Sequence, residues 1–112
     1  MKRIVSLNQN REFKRLYARG KSAVGRLVVV YYKKNAASGG RLGITVSKKL
    51  GKAVVRSRVR RIIREAYRLE GESLLPEVDM VIVARGRAVR AKCQDIRNEL
   101  CILWTKEGLM RT

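Results

Sequence analysis

Residues 54–65 read VVRSRVRRIIRE, and the spacing within this run predicts a two-faced helix over Ala53 to Leu69. At about 100° per residue, Val55, Val59, Ile62, Ile63, Ala66 and Leu69 fall within an arc of about 120°. Arg56, Arg60, Arg61, Arg64 and Arg68 occupy the opposite side, and Arg58 and Glu65 flank the apolar arc. A helix with this pattern must lay its aliphatic stripe on a core and turn its guanidinium groups outward. Arg56, Arg60, Arg64 and Arg68 recur at i+4 with like charge, which is mildly destabilising in isolation. Only Glu65 stands at i+4 spacing to offset an arginine of this face, Arg61. Arginine matches phosphate bidentately, so an acidic partner explains the face better than solvation does. Ser57 sits in the middle of that face. It is either an innocuous small residue, bonding back to a carbonyl one turn earlier, or a hydroxyl presented among phosphates.

The rest of the chain supports a folded nucleic-acid binder. It has 112 residues, enough for one domain (1–112), and 46% are hydrophobic. Twenty-seven Lys and Arg stand against nine Asp and Glu, giving +18 with no histidine. The charges are spread through the structured segments, as in an RNA- or DNA-binding domain rather than a basic tail. No apolar run reaches the length of a membrane span, and MKRIVSLNQN lacks the apolar stretch of a signal peptide. A cytoplasmic protein is expected. Cys93 and Cys101, eight apart on a predicted helix, are too distant for a disulfide and read as reduced thiols.

Periodicity gives the element order α-β-β-α-β-α, an α+β domain with a mixed sheet. A short helix covers Asn8 to Arg19, with Phe13, Leu16 and Tyr17 on one face and Gly20 as its stop. Arg26 to Lys34 and Arg41 to Lys48 are strands around the loop Asn35 to Gly40, and a hairpin between them is the simplest topology. Val78 to Ala84 is a third strand. A basic turn or strand continuation, Arg85 to Arg90, leads to a last helix from Ala91 carrying Ile96, Leu100, Leu103 and Trp104. Glu70, Glu72, Glu77 and Asp79 fall in or beside the loop around Gly71 and Pro76, where they balance charge.

Protein-borne chemistry is poorly represented. There is no histidine for general base work, no paired-carboxylate constellation for metals and no phosphate-cradling glycine loop. Tyr31 and Tyr32 point to opposite faces of their strand. Phe13 and Tyr17 either pack or offer a platform for stacked bases.

The run VSKKLGKAVVRSRVRRIIREAYR, Val46 to Arg68, resembles the signature of the bacterial ribonuclease P protein subunit. That signature is a strand ending in Ser-Lys-Lys, a short loop and an Arg-Asn-Arg helix with further basic residues. FKRLYARG, the strand ending in Tyr31 and the late VIVAR strand follow in the family's order. The resemblance implies an α-β-β-α-β-α sandwich with a left-handed βαβ crossover, of the ribosomal protein S5 domain 2-like kind. It implies the accessory protein of an endoribonuclease that removes the 5′ leader of precursor tRNA. The large RNA would carry catalysis and hold Mg²⁺, so no catalytic residue or metal ligand is expected in the protein.

The implied partners are the catalytic RNA, one per protein, and precursor tRNA, with dimerisation of the assembled particle left open. Lys48, Lys49, Arg56, Arg58, Arg60, Arg61 and Arg64 match the surface that meets the catalytic RNA. Phe13, Tyr17 and Tyr31 match the aromatics of a cleft for single-stranded leader, with Ser57 at the same site. Ser57 departs from the pattern, because the family carries asparagine there and serine lacks its amide reach. The other readings are a ribosomal protein using the same basic helix and a membrane-surface peptide. The strand-rich remainder and the aliphatic inner face of the helix argue against the peptide.

Overall fold

A computed structural model describes residues 6–7, 10–35 and 39–111. Helix α1 (Asn10–Arg19) is followed by strands β1 (Lys21–Val24), β2 (Val28–Lys34) and β3 (Leu42–Thr45). Then come α2 (Ala53–Glu70), β4 (Val78–Ala84) and α3 (Cys93–Lys106). The expected helical positions Asn8 and Gln9, and residues 36–38 of the expected loop, lie outside the described residues. The α+β class and the mixed sheet are as expected, with one strand more than the sequence pattern gave.

The strands run in the order β1-β2-β4-β3, so the expected hairpin between the second and third strands does not form. β2 pairs antiparallel with β1 on one side and with β4 on the other, whereas β3 pairs parallel with β4. The reason lies in β4. Its VDMVIVA sequence is buried at every position except the half-buried Val83, and such a strand belongs in the middle of a sheet. The hairpin is instead β1–β2, closed by a turn at Gly25 to Leu27, which removes Arg26 and Leu27 from the expected strand. β3 also ends early, at Thr45. There Ser47 Oγ accepts the Lys49 N–H at 3.2 Å and caps a 3-10 turn over Lys48–Leu50.

The sheet has two apolar faces. On one, Val28, Val30, Tyr32, Met80 and Ile82 pack against Val59, Ile63, Ala66 and Tyr67 of α2 and Ile96, Leu100 and Trp104 of α3. The Tyr67 and Trp104 rings meet edge to face at 5.9 Å. On the other face, Val81, Val83 and Tyr31 meet Leu16 and Phe13 of α1 together with Leu7. The alternation predicted for Tyr31 and Tyr32 is the division between these two cores.

α1 is fastened to the sheet through Arg41. Its guanidinium donates to Glu12 Oε1 at 2.7 Å and to Asp79 Oδ2 at 2.9 Å, and its backbone N–H reaches Asp79 Oδ1 at 3.1 Å. Asn35 adds a bond to Asp79 Oδ2 at 3.0 Å. Asp79 therefore belongs to β4, buried and hydrogen-bonded, and not to a charge-balancing loop. These bonds, first to Asp79 and then to Glu12, hold the Arg41 guanidinium even more firmly protonated than usual.

Candidate nucleic-acid interface

Most of the acidic side chains are committed to partners within the fold, and this decides which cations are left facing outward. Glu12 and Asp79 hold Arg41, and Glu70 holds Arg97 at 2.8 Å. Glu99 accepts the backbone N–H groups of Arg26, Leu27 and Val28 at 2.8–2.9 Å. Asp95 accepts the Lys92 N–H at the start of α3, and Glu107 accepts the Tyr32 hydroxyl. Glu65 turns to Arg68, at i+3, instead of to the expected Arg61. The Arg68 guanidinium, acting by hydrogen bond and charge, holds the Glu65 carboxyl below the usual carboxylate range.

Along α2 the arginines consequently divide by role. Arg60, Arg61 and Arg64 are exposed and form no ion pair among the described residues. Arg56 donates through Nε to the Gly51 carbonyl at 3.2 Å, while Arg58 points elsewhere. Its two terminal nitrogens donate to the carbonyls of Val89 and Ala91 at 3.0 and 3.1 Å, joining α2 to the segment before α3. Lys48 and Lys49 lie exposed in the 3-10 turn ahead of α2.

The aromatics of α1 and β2 come together beside β3. The rings of Tyr17 and Tyr31 meet edge-on with centroids 4.7 Å apart, and the Tyr17 hydroxyl lies 3.3 Å from Thr45 Oγ1. Tyr17 remains 40% exposed, which is enough for its ring to receive a flat partner. Phe13 lies against Gly43, where a Cβ would stand 2.6 Å from the ring's Cε1. Glycine at this point lets α1 settle on the edge strand.

Two concavities flank this junction. One, of ≈ 390 Å³, is lined by Phe13, Lys14, Tyr17, Thr45 and Arg60 among others. The other, of ≈ 550 Å³, is lined by Phe13, Gly43, Ser57, Arg60, Arg61 and Arg64 among others. Phe13, Ile44 and Arg60 line both, so aromatic rings and free guanidinium groups share one continuous surface, with Ser57 on the basic side. Of the residues singled out from sequence, the fold gathers Phe13, Tyr17, Tyr31, Ser57, Arg60, Arg61 and Arg64. It separates Arg58 from them. Thr45, Ile44 and Lys14 were not singled out, although Thr45 and Gly43 share the polar side of an alternating strand.

Among the described residues there is no group of three or more His, Cys, Asp or Glu that could hold a metal ion. Cys93 and Cys101 are free thiols on α3, and burial pushes the Cys93 thiol up. No described helix is long and apolar enough to cross a membrane.

Comparison with known proteins agrees along nearly the whole chain. A "Ribonuclease P protein component" from Alkaliphilus oremlandii is 38% identical over 112 residues, covering 100% of this chain and 98% of the relative. One from Clostridium acetobutylicum is 44% identical over 106 residues, covering 93% and 89%. The solved ribonuclease P protein of Staphylococcus aureus superposes with a TM-score of 0.84 at 33% identity, covering 97% of this chain and 100% of that one. That of Thermotoga maritima gives 0.80 at 30% identity, covering 90% and 96%. The sequence model of the family described as Ribonuclease P matches residues 1–108, and the chain belongs to the ribonuclease P protein family.

Proposed function

We propose that this protein binds the catalytic RNA of ribonuclease P through α2 and the 5′ leader of precursor tRNA through the aromatic cleft. In this way it assists removal of the leader. The observation that carries this reading is the continuity of Tyr17, Phe13 and Ser57 with Arg60, Arg61 and Arg64 on one concave surface. Rings beside unpaired guanidinium groups suit a single strand, whose bases stack while its phosphates meet arginine. Exposed Lys48 and Lys49 extend the basic side toward the catalytic RNA. Bond cleavage is assigned to the RNA, which holds Mg²⁺. The protein's part is to orient the leader and to lower the repulsion between the two RNAs. One protein per RNA in the cytoplasm is the corresponding assembly.

Reconstitution with the host's candidate catalytic RNA and a precursor tRNA tests this. The expected result is a mature 5′ end, with protein–RNA affinity falling steeply as salt rises because counterions are released. A flat salt dependence would overturn a phosphate-dominated interface. Copurification with ribosomal RNA alone would favour a ribosomal protein instead. A mutant of the Staphylococcus aureus protein, 34% identical, is described as defective in mRNA degradation activity. Here the protein without RNA is expected to cleave neither messenger nor precursor tRNA, and robust RNA-free cleavage would overturn the assignment of catalysis to the RNA.

A further inference from the structure

One end of the sheet is basic across its width. Val24, Val29, Val83 and Thr45 stand in a single row over the four strands. Beyond that row come the β1–β2 turn with Arg26, the 3-10 turn Gly86–Arg90 after β4, and the turn with Lys48 and Lys49 after β3. Strands about 4.8 Å apart make this rim about 15 Å wide.

At the β1 end of the rim a groove of ≈ 1010 Å³ opens between the β1–β2 turn, the Gly86–Arg90 turn and α3. Arg26, Arg87, Arg90 and Lys106 line it, exposed, with no side-chain hydrogen bond or ion pair among the described residues. The local acids do not answer them, because Asp95 and Glu99 turn their carboxylates to backbone N–H groups. Gly25 is what allows this, since a Cβ there would stand 2.5 Å from Glu99 Cδ. Both walls are also fixed. Glu99 ties down the β1–β2 turn, and Arg58 ties the Gly86–Arg90 turn to α2.

Building on the function proposed above, we propose that this groove is a second contact for the phosphate backbone of the catalytic RNA, separate from the α2 face and the leader cleft. Charge decides the occupant. Four unanswered cations on rigid supports, in a chain of +18, fit a polyanion and repel a second copy of the same chain. The only large aliphatics exposed along it, Val24 and Ile102, are too few to form the apolar centre of a protein interface. The groove shares no lining residue with the concavities at Phe13, and its basic rim leads toward Lys48 and Lys49. An RNA lying on the start of α2 can therefore continue into it without crossing the leader site.

The test replaces Arg26, Arg87, Arg90 and Lys106 together by glutamine and titrates the protein against catalytic RNA over a range of salt. The expected result is a log K against log salt slope shallower by about 3 units, from four lost phosphate contacts. The thermal midpoint should stay unchanged, and so should the preference for leader-bearing precursor over mature tRNA. An unchanged slope, while Arg60→Gln/Arg64→Gln flattens it, would overturn this inference alone. Unchanged slopes in both variants would instead overturn the function proposed above. A loss confined to leader-bearing precursor would assign the groove to substrate and overturn the catalytic-RNA contact. Self-association of the RNA-free protein that Ile102→Lys abolishes would overturn it in favour of a second copy.

Discussion

The hydroxyl of Tyr17 lies 3.3 Å from Thr45 Oγ1, so a residue of α1 is pinned to the end of an edge strand while its ring stays open to solvent. The same ring meets Tyr31 edge-on, which fixes its tilt. Such a ring is pre-oriented for the base stacking proposed above. Tyr17→Ala should weaken binding of leader-bearing precursor by about 1–3 kcal/mol and leave mature tRNA nearly unaffected. Tyr17→Phe keeps the stacking surface and should lose much less. Equal losses for both tRNAs would show that Tyr17 only packs.

Arg58 and Arg60 are two positions apart on one helix yet should respond oppositely to mutation. Arg58 satisfies the carbonyls of Val89 and Ala91, so Arg58→Ala leaves two part-buried acceptors unpaired. It should destabilise the fold by about 1–3 kcal/mol and scarcely change the salt slope of the folded protein. Arg60→Ala should leave the thermal midpoint within experimental error and make the salt slope shallower by about 1 unit. Calorimetry beside salt-dependent RNA titrations separates the two, and a reversed pattern would show that the hydrogen bonds of Arg58 do not persist.

The contrast shows how far the sequence could be read. The inner arc of α2 was legible because a 3.6 period repeats over a long segment, and Val59, Ile63 and Ala66 are indeed buried. A wheel angle cannot say which carbonyls will stand opposite Arg58, because those come from a segment about thirty residues later, brought there by the fold. The same holds for Glu65, for which two arginine partners are within helical reach and side-chain direction selects Arg68. β1 was missed because Lys21–Val24 offers only one inward apolar residue, Ala23, too little for a period-2 signal. The misplaced hairpin follows from the same gap. With β1 unseen, β2 had a free edge to fill, and its distant partner β4 leaves no local trace.

Tyr32 gives the fold a dependence on alkaline pH. Burial first, then its hydrogen bond to Glu107 and that carboxylate's charge, push its hydroxyl up to about 12 from the ordinary 10.0. Tyr67 is pushed up to about 12 by burial and by the charge of Asp79. The unfolded chain loses these protons first, so their contribution is complete below pH 10 and drains away between pH 10 and pH 12. Urea midpoints measured across that window should fall, and should fall less steeply in Tyr32→Phe, where only Tyr67 remains linked. Parallel curves would show that the Tyr32 proton is not coupled to folding.

Ser57 stands between Arg56 and Arg58, at the position of the asparagine in the Arg-Asn-Arg signature that the sequence resembles. It lies on the exposed side of α2, lining the same concavity as Phe13, Arg60, Arg61 and Arg64. Its hydroxyl has no hydrogen-bond partner among the described residues, and asparagine is a comparable helix former, so Ser57→Asn should change stability by less than about 0.5 kcal/mol. The longer amide adds an acceptor and two donors at the border between the basic face and the aromatic cleft. One net hydrogen bond to RNA there would tighten leader-bearing precursor by about 0.5–1.5 kcal/mol and lower the Mg²⁺ concentration needed for half-maximal cleavage by the reconstituted particle. Mature tRNA should bind as before. Cleavage and Mg²⁺ dependence identical to those with serine would show that the amide is dispensable, and that Arg60, Arg61 and Arg64 position the RNA without it.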